Sequence, residues 1–121
     1  MTSQSRKHRG YATQRIFAEY IRKVFPFAEP TGAGRQGRDI LSTPGVWFEL
    51  KARTKLNPKG DLRQTHAGVE KESAPGVQDD LPILVTRLNG QGPESVGEWV
   101  AFMRVDTLIE LLNEAGYGTS G

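Results

Sequence analysis

Residues 37–53 read GRDILSTPGVWFELKAR, and the alternation in the second half of this stretch decides the fold. The pattern predicts a short strand ending near Asp39 and Ile40, a tight turn at Pro44-Gly45, and a second strand carrying Glu49 and Lys51. Strand side chains alternate between faces, so Trp47, Glu49, Lys51 and Arg53 share one face. Val46, Phe48, Leu50 and Ala52 supply an apolar face on the other side. Glu49 and Lys51 on one strand face, with Asp39 on the neighbouring strand, form a compact candidate site for a divalent cation. The main-chain carbonyl of Leu50 is a further oxygen donor.

The bulk composition narrows what this site can be. A chain of 121 residues supports one core. With 36% hydrophobic and 25% charged residues, it fits a small α+β protein and not a disordered one. There is no cysteine, which excludes thiolate zinc sites and cysteine nucleophiles. His8 and His66 lack partners at metal-ligand spacing. A metal would therefore take oxygen ligands, which favours Mg2+, with Mn2+ as its substitute. No apolar run has membrane-spanning length, and the basic, polar start has no signal-peptide core, so the expected location is the cytoplasm with no membrane partner. The net charge of +2 hides a segregation. Residues 1–63 hold 13 Lys/Arg against 5 Asp/Glu, whereas residues 64–121 hold 3 against 9. A basic half of this kind suits a phosphate backbone.

Outward from the central stretch, residues 1–9 read as a flexible basic arm and residues 10–121 as a single domain. Tyr11 to Phe25 has helical periodicity through Ile16, Phe17, Tyr20, Ile21 and Val24, and Pro26 stops it. Gln14 falls at the edge of that stripe, and Glu19 points away from it. Phe27-Ala28-Glu29 is a brief strand. PTGAGRQGRD follows, too poor in helix and lysine to be a P-loop, but able to present Thr31, Arg35 and Arg38 to phosphates. On the C-terminal side, TKLNPKG is a basic loop carrying Lys55 and Lys59. Asp61 is placed to cap a helix running to about Glu72. Leu81–Leu88 reads as a buried strand, antiparallel to a strand over 98–104. Thr107 and Glu110 have capping-box spacing for a last helix that ends at Gly116. The expected order is αβββαββα. Arg53, Lys55, Lys59 and Arg63 are candidate phosphate contacts.

The spacing of Asp39, nine residues, Glu49, one residue, Lys51 resembles the motif of the PD-(D/E)xK nuclease superfamily, most closely the archaeal-type Holliday junction resolvases and their phage relatives. Arg9-Gly10-Tyr11-Ala12-Thr13-Gln14-Arg15 is similar to that family's opening, Pro30-Thr31-Gly32 to its loop before the catalytic Asp, and Glu49-Leu50-Lys51-Ala52-Arg53 to its Glu-x-Lys-x-Arg strand. Arg63-Gln64 opens a helix as in the family. The Gly-Ala-Gly-Arg loop looks like that of small nucleases encoded by actinobacterial phages. Two positions depart: Arg38 stands for the motif's proline, and Gln14 for the first-helix glutamate. The resemblance implies a restriction-endonuclease-like core with a central mixed sheet flanked by helices. It implies a Mg2+-dependent endonuclease that resolves four-way or branched DNA as a homodimer. Its site residues would be Asp39, Glu49, Lys51 and Gln14, with Arg9, Arg15 and Gln64 among the DNA contacts. If phage-encoded, the protein would act in the host cytoplasm. The alternative, supported by the neutral Gln14, is a catalytically weak or silent nucleic-acid-binding module on the same fold.

Overall fold

Parallel strands cannot be joined by a tight turn; they need a crossover, and a helix supplies it here. The computed structural model describes residues 3–32 and 37–118. In chain order it holds α1 (Ser3–Ile21), β1 (Glu29–Pro30), β2 (Ile40–Leu41), β3 (Val46–Arg53), α2 (Pro58–Lys71), β4 (Leu81–Leu88), a 3-10 turn over Pro93–Glu98, β5 (Val100–Phe102) and α3 (Val105–Glu114). The protein is thus mixed α+β, in the order expected. β3 and β4 pair in parallel over their full lengths, from Val46 with Leu81 to Arg53 with Leu88. β5 adds antiparallel to β4, with Val85 opposite Ala101. The sheet order β3-β4-β5 leaves β4 central, which accounts for its run of β-branched and aliphatic residues.

The alternation of β3 holds. Phe48 and Leu50, with Ile83 and Val85 of β4, face a core filled by Ile16, Phe17 and Ala18 of α1 and by Trp99. Phe17 meets Phe48 edge-on at 5.0 Å. Each such buried aromatic or leucine contributes about 1.5–3 kcal/mol. Trp47 lies on the opposite face, only 2% exposed, beneath α2. α1 therefore covers one face of the sheet and α2 the other.

Several expectations change. α1 starts at Ser3, so residues 3–9, read as an arm, continue the helix; it ends at Ile21, four residues before Phe25. Its buried residues are Thr13, Ile16, Phe17 and Ala18, whereas Tyr20 is exposed and Val24 lies beyond the helix end, so the buried side is rotated from the expected stripe. β2 pairs with β1, not β3. Ser42 and Gly45, both at positive φ, turn the chain between β2 and β3, and this link does not make a hairpin. α2 begins at Pro58, whose fixed φ suits a first helical position, and Asp61 sits inside its first turn. α3 is N-capped at Arg104 without a side-chain bond, so Thr107 and Glu110 form no capping box. β5 is confined to three residues, with the 3-10 turn taking up Glu98 on one side and the cap of α3 taking up Arg104 on the other. Among the described residues no helix is long and apolar enough to cross a membrane.

Candidate metal and phosphate site

The link from β2 to β3 leaves the backbone edge of β3 open at Leu50, and a side chain closes it. Asp39 Oδ2 accepts the Leu50 amide at 2.7 Å, and Oδ1 accepts the Gln14 side-chain amide at 3.2 Å. The N–H and C=O of one residue leave a strand on the same edge, so the Leu50 carbonyl also faces the Asp39 side and not β4. Thr31 fixes the backbone behind the carboxylate: its N–H and its hydroxyl both donate to the Asp39 carbonyl, at 3.1 and 3.2 Å. Thr31, an expected phosphate contact, holds Asp39 in place through these two bonds.

From the face of β3, Glu49 and Lys51 project into an open cleft of about 550 Å³ between β3 and α2, with Asp39 and Trp47 in the same wall. Lys51 Nζ lies 3.5 Å from Glu49 Oε1. Burial raises the pKa of Asp39 above the usual carboxylate value, against the pull of the Leu50 amide and Lys51. Burial and then the charge of Asp39 raise that of Glu49, with Lys51 opposing. Two carboxylates that resist ionising together are poised to gain from a cation. α2 contributes Gln64 and Lys71 to the opposite wall.

Gln14 therefore reaches the site, while Glu19 is exposed and paired with Arg15 at 3.6 Å. The phosphate contacts divide. Arg38 is held by Glu72 at 3.1 Å and Asp80 at 2.7 Å, with its guanidinium 4.8 Å from the centre of the Trp47 ring. Arg53 forms a two-point ion pair with the buried Asp61 carboxylate and anchors the start of α2. Both expected phosphate contacts are thus engaged with carboxylates, Arg38 through Nη2 and Arg53 through Nε and Nη2. Lys55, Lys59 and Arg63 remain exposed, and Arg9 is partly exposed. Arg35 lies outside the described residues.

Two side chains of the cleft escaped the sequence reading. Lys71 stands seven residues after Gln64, two helical turns along the same face of α2, a spacing that could have revealed it. Trp47 was read only as a member of the strand face. It lines the cleft with its indole N–H buried, and it packs so closely on α2 that a Cβ at Gly68 would lie 2.7 Å from its Cζ2.

The donor set fits a hard divalent cation in part. Among the described residues no three Asp, Glu or His side chains converge. Two carboxylates, the Leu50 carbonyl edge, and the buried Gln14 Oε1, which has no partner among the described residues, supply oxygen only. No family model matches this chain, nor does any curated protein or solved structure.

Proposed function

We propose that this protein is a Mg2+-dependent endodeoxyribonuclease of the PD-(D/E)xK type, on a restriction-endonuclease-like core, acting on branched DNA such as a four-way junction. The observation that carries the reading is the pairing of Asp39 and Glu49 in one cleft beside Lys51, with Asp39 fixed by the Leu50 amide and Gln14. Asp39, Glu49 and the Leu50 carbonyl would hold the cation. When bound, it supplies Lewis acidity toward the phosphoryl oxygen and a water, and offsets the negative charge that builds on phosphorus.

The chain's own groups do the rest. Lys51 stands beside the carboxylates, where its charge orients the incoming water and offsets the growing phosphoryl charge. Hydrolysis forms one bond from water oxygen to phosphorus and breaks one phosphorus–ester bond. The water gives up a proton and the departing oxygen gains one. Gln14 keeps Asp39 aimed through its amide, and that amide cannot act as a base. Lys71 lines the cleft, and Lys55 and Arg63 are exposed cations that a backbone phosphate would meet in solution. A homodimer would present two such clefts to symmetry-related strands, and the apolar residues Leu108 and Ile109 of α3, 41% and 50% exposed, offer surface for it.

Gln14 also favours a second reading, a catalytically silent DNA-binding module, because it removes the third carboxylate. One assay separates the two: incubation with matched four-way junction, duplex and single-stranded DNA, with and without Mg2+. The nuclease reading expects Mg2+-dependent cutting, strongest on the junction, that Asp39→Ala or Glu49→Ala abolishes while DNA binding stays near the parent value. Cutting by either variant at the parent rate would rule out this site.

A further inference from the structure

Asp39 sits in a part of the chain that the strands themselves hold weakly. β1 and β2 pair only over Glu29–Pro30 and Ile40–Leu41, and so short a ladder is marginal on its own. Asp39 lies just before β2, two residues after Gly37, which takes a positive φ of 97°. A carboxylate on such a segment keeps one direction only if other groups fix it. Thr31 holds its carbonyl, and the Leu50 amide and Gln14 hold its side chain. Those bonds reach residue 39 from β3, α1 and the end of β1. The residue before it is tied elsewhere.

Arg38 carries that second tie. Its Nη2 donates to Asp80 Oδ2 at 2.7 Å and to Glu72 Oε2 at 3.1 Å. Glu72 is the C-cap of α2, and Asp80 directly precedes β4. The guanidinium lies over the Trp47 ring, 4.8 Å from its centre, and that buried ring is itself wedged against Gly68 of α2. One side chain thus joins the Asp39 segment to α2, to β3 and to the start of β4. A lone exposed ion pair contributes little. A partly buried arginine shared by two carboxylates and stacked on an aromatic ring is a network of defined geometry. Gly37 and Glu72 both line the cleft, and a Cβ at Gly37 would stand 3.9 Å from Glu72 Oε1, so the clamp closes one end of it.

We propose that Arg38 is a positioning residue: clamped by Asp80 and Glu72 over Trp47, it fixes the backbone at Asp39 and keeps that carboxylate on the Leu50 amide, beside Glu49. The clamp stands on its own contacts, while its service to a bound cation rests on the nuclease reading above.

The test is amide hydrogen exchange of the full, isotope-labelled chain in EDTA, read by NMR. Arg38→Gln should speed exchange of the Leu50 amide about tenfold, because the bond to Asp39 opens more often. Leu84 and Val85, in the middle of the central strand, should keep the parent rate. Asp80 is remote from Asp39 in the sequence, so Asp80→Asn reaches the Leu50 amide through Arg38. It should speed the same amide about threefold and add nothing to Arg38→Gln in the double variant. Thermal melts confirm that each variant is folded. Parent exchange at Leu50 in Arg38→Gln would overturn the proposal. So would equal acceleration at Leu50, Leu84 and Val85, which marks a general prop of the fold. Calorimetric titration then reads the consequence for the site: Arg38→Gln should bind Mn2+ about tenfold more weakly than the parent. Parent affinity in that variant would overturn the positioning role. No binding heat in the parent would count against the nuclease reading alone, since the exchange measurement needs no cation.

Discussion

Glu49 stands where burial and a second carboxylate act against it together, and this gives the site a measurable pH signature. Its pKa is raised from 4.5, by burial first and then by Asp39. The native state therefore keeps this proton at a pH where the unfolded chain has released it. Stability falls as pH rises from the unfolded value through the folded one, and the full cost is present above both. Glu49→Gln should accordingly melt at a higher temperature than the parent at neutral pH, with the difference closing as pH falls to 4.5 and below. Melts across that range in a metal-free buffer check it. Gln14→Glu makes the converse point. A third carboxylate facing Asp39 adds repulsion without a cation and adds a charged ligand with one. The variant should melt lower than the parent in EDTA and bind Mn2+ about tenfold more tightly, as read by calorimetry.

At the scale of elements, the cleft depends on how closely α2 approaches β3, and Gly68 sets that distance. A methyl there meets Trp47 Cζ2 at 2.7 Å. The overpacking cost of about 1–3 kcal/mol exceeds the helix-propensity gain of about 1 kcal/mol from replacing glycine by alanine. Gly68→Ala should therefore lower stability by about 1 kcal/mol in urea unfolding, and Trp47→Phe, which removes the clashing ring, should make the same change neutral or favourable in a double-mutant cycle. The alternation of VWFELKAR was legible because β3 buries Phe48 and Leu50 on one face and points Glu49 and Lys51 into the cleft on the other. The order of elements was legible for the same reason of periodicity. The link between β2 and β3 was not, since a Pro-Gly pair reads as a hairpin and nothing local announces a left-handed serine at position 42. The engagement of Arg38 was also hidden. A long cationic side chain in a glycine-rich loop reads as a phosphate contact, and its carboxylates, Glu72 and Asp80, arrive only when α2 and the start of β4 fold against it. Asp61 was within sight of Arg53 in the sequence, but its reading as a helix cap concealed the ion pair.

At the scale of the molecule, the charge segregation of the chain survives folding in a reduced form. Residues 1–63 carry a net charge of +8, yet Arg38 and Arg53 spend theirs on acidic partners, one pair of which lies in the other half of the chain. The exposed cations open to a phosphate backbone include Lys55, Lys59, Arg63 and Lys71. Lys71 lines the cleft from the α2 side, and it is placed there by its helix, not by the local motif. The central claim is that Asp39 and Glu49 together hold a divalent cation, and calorimetric titration of Mn2+ into the parent chain, Asp39→Ala and Glu49→Ala tests it most directly. The account predicts a saturable binding heat in the parent that both variants lose while remaining folded. Equal heats in all three proteins, or none in the parent, would contradict it.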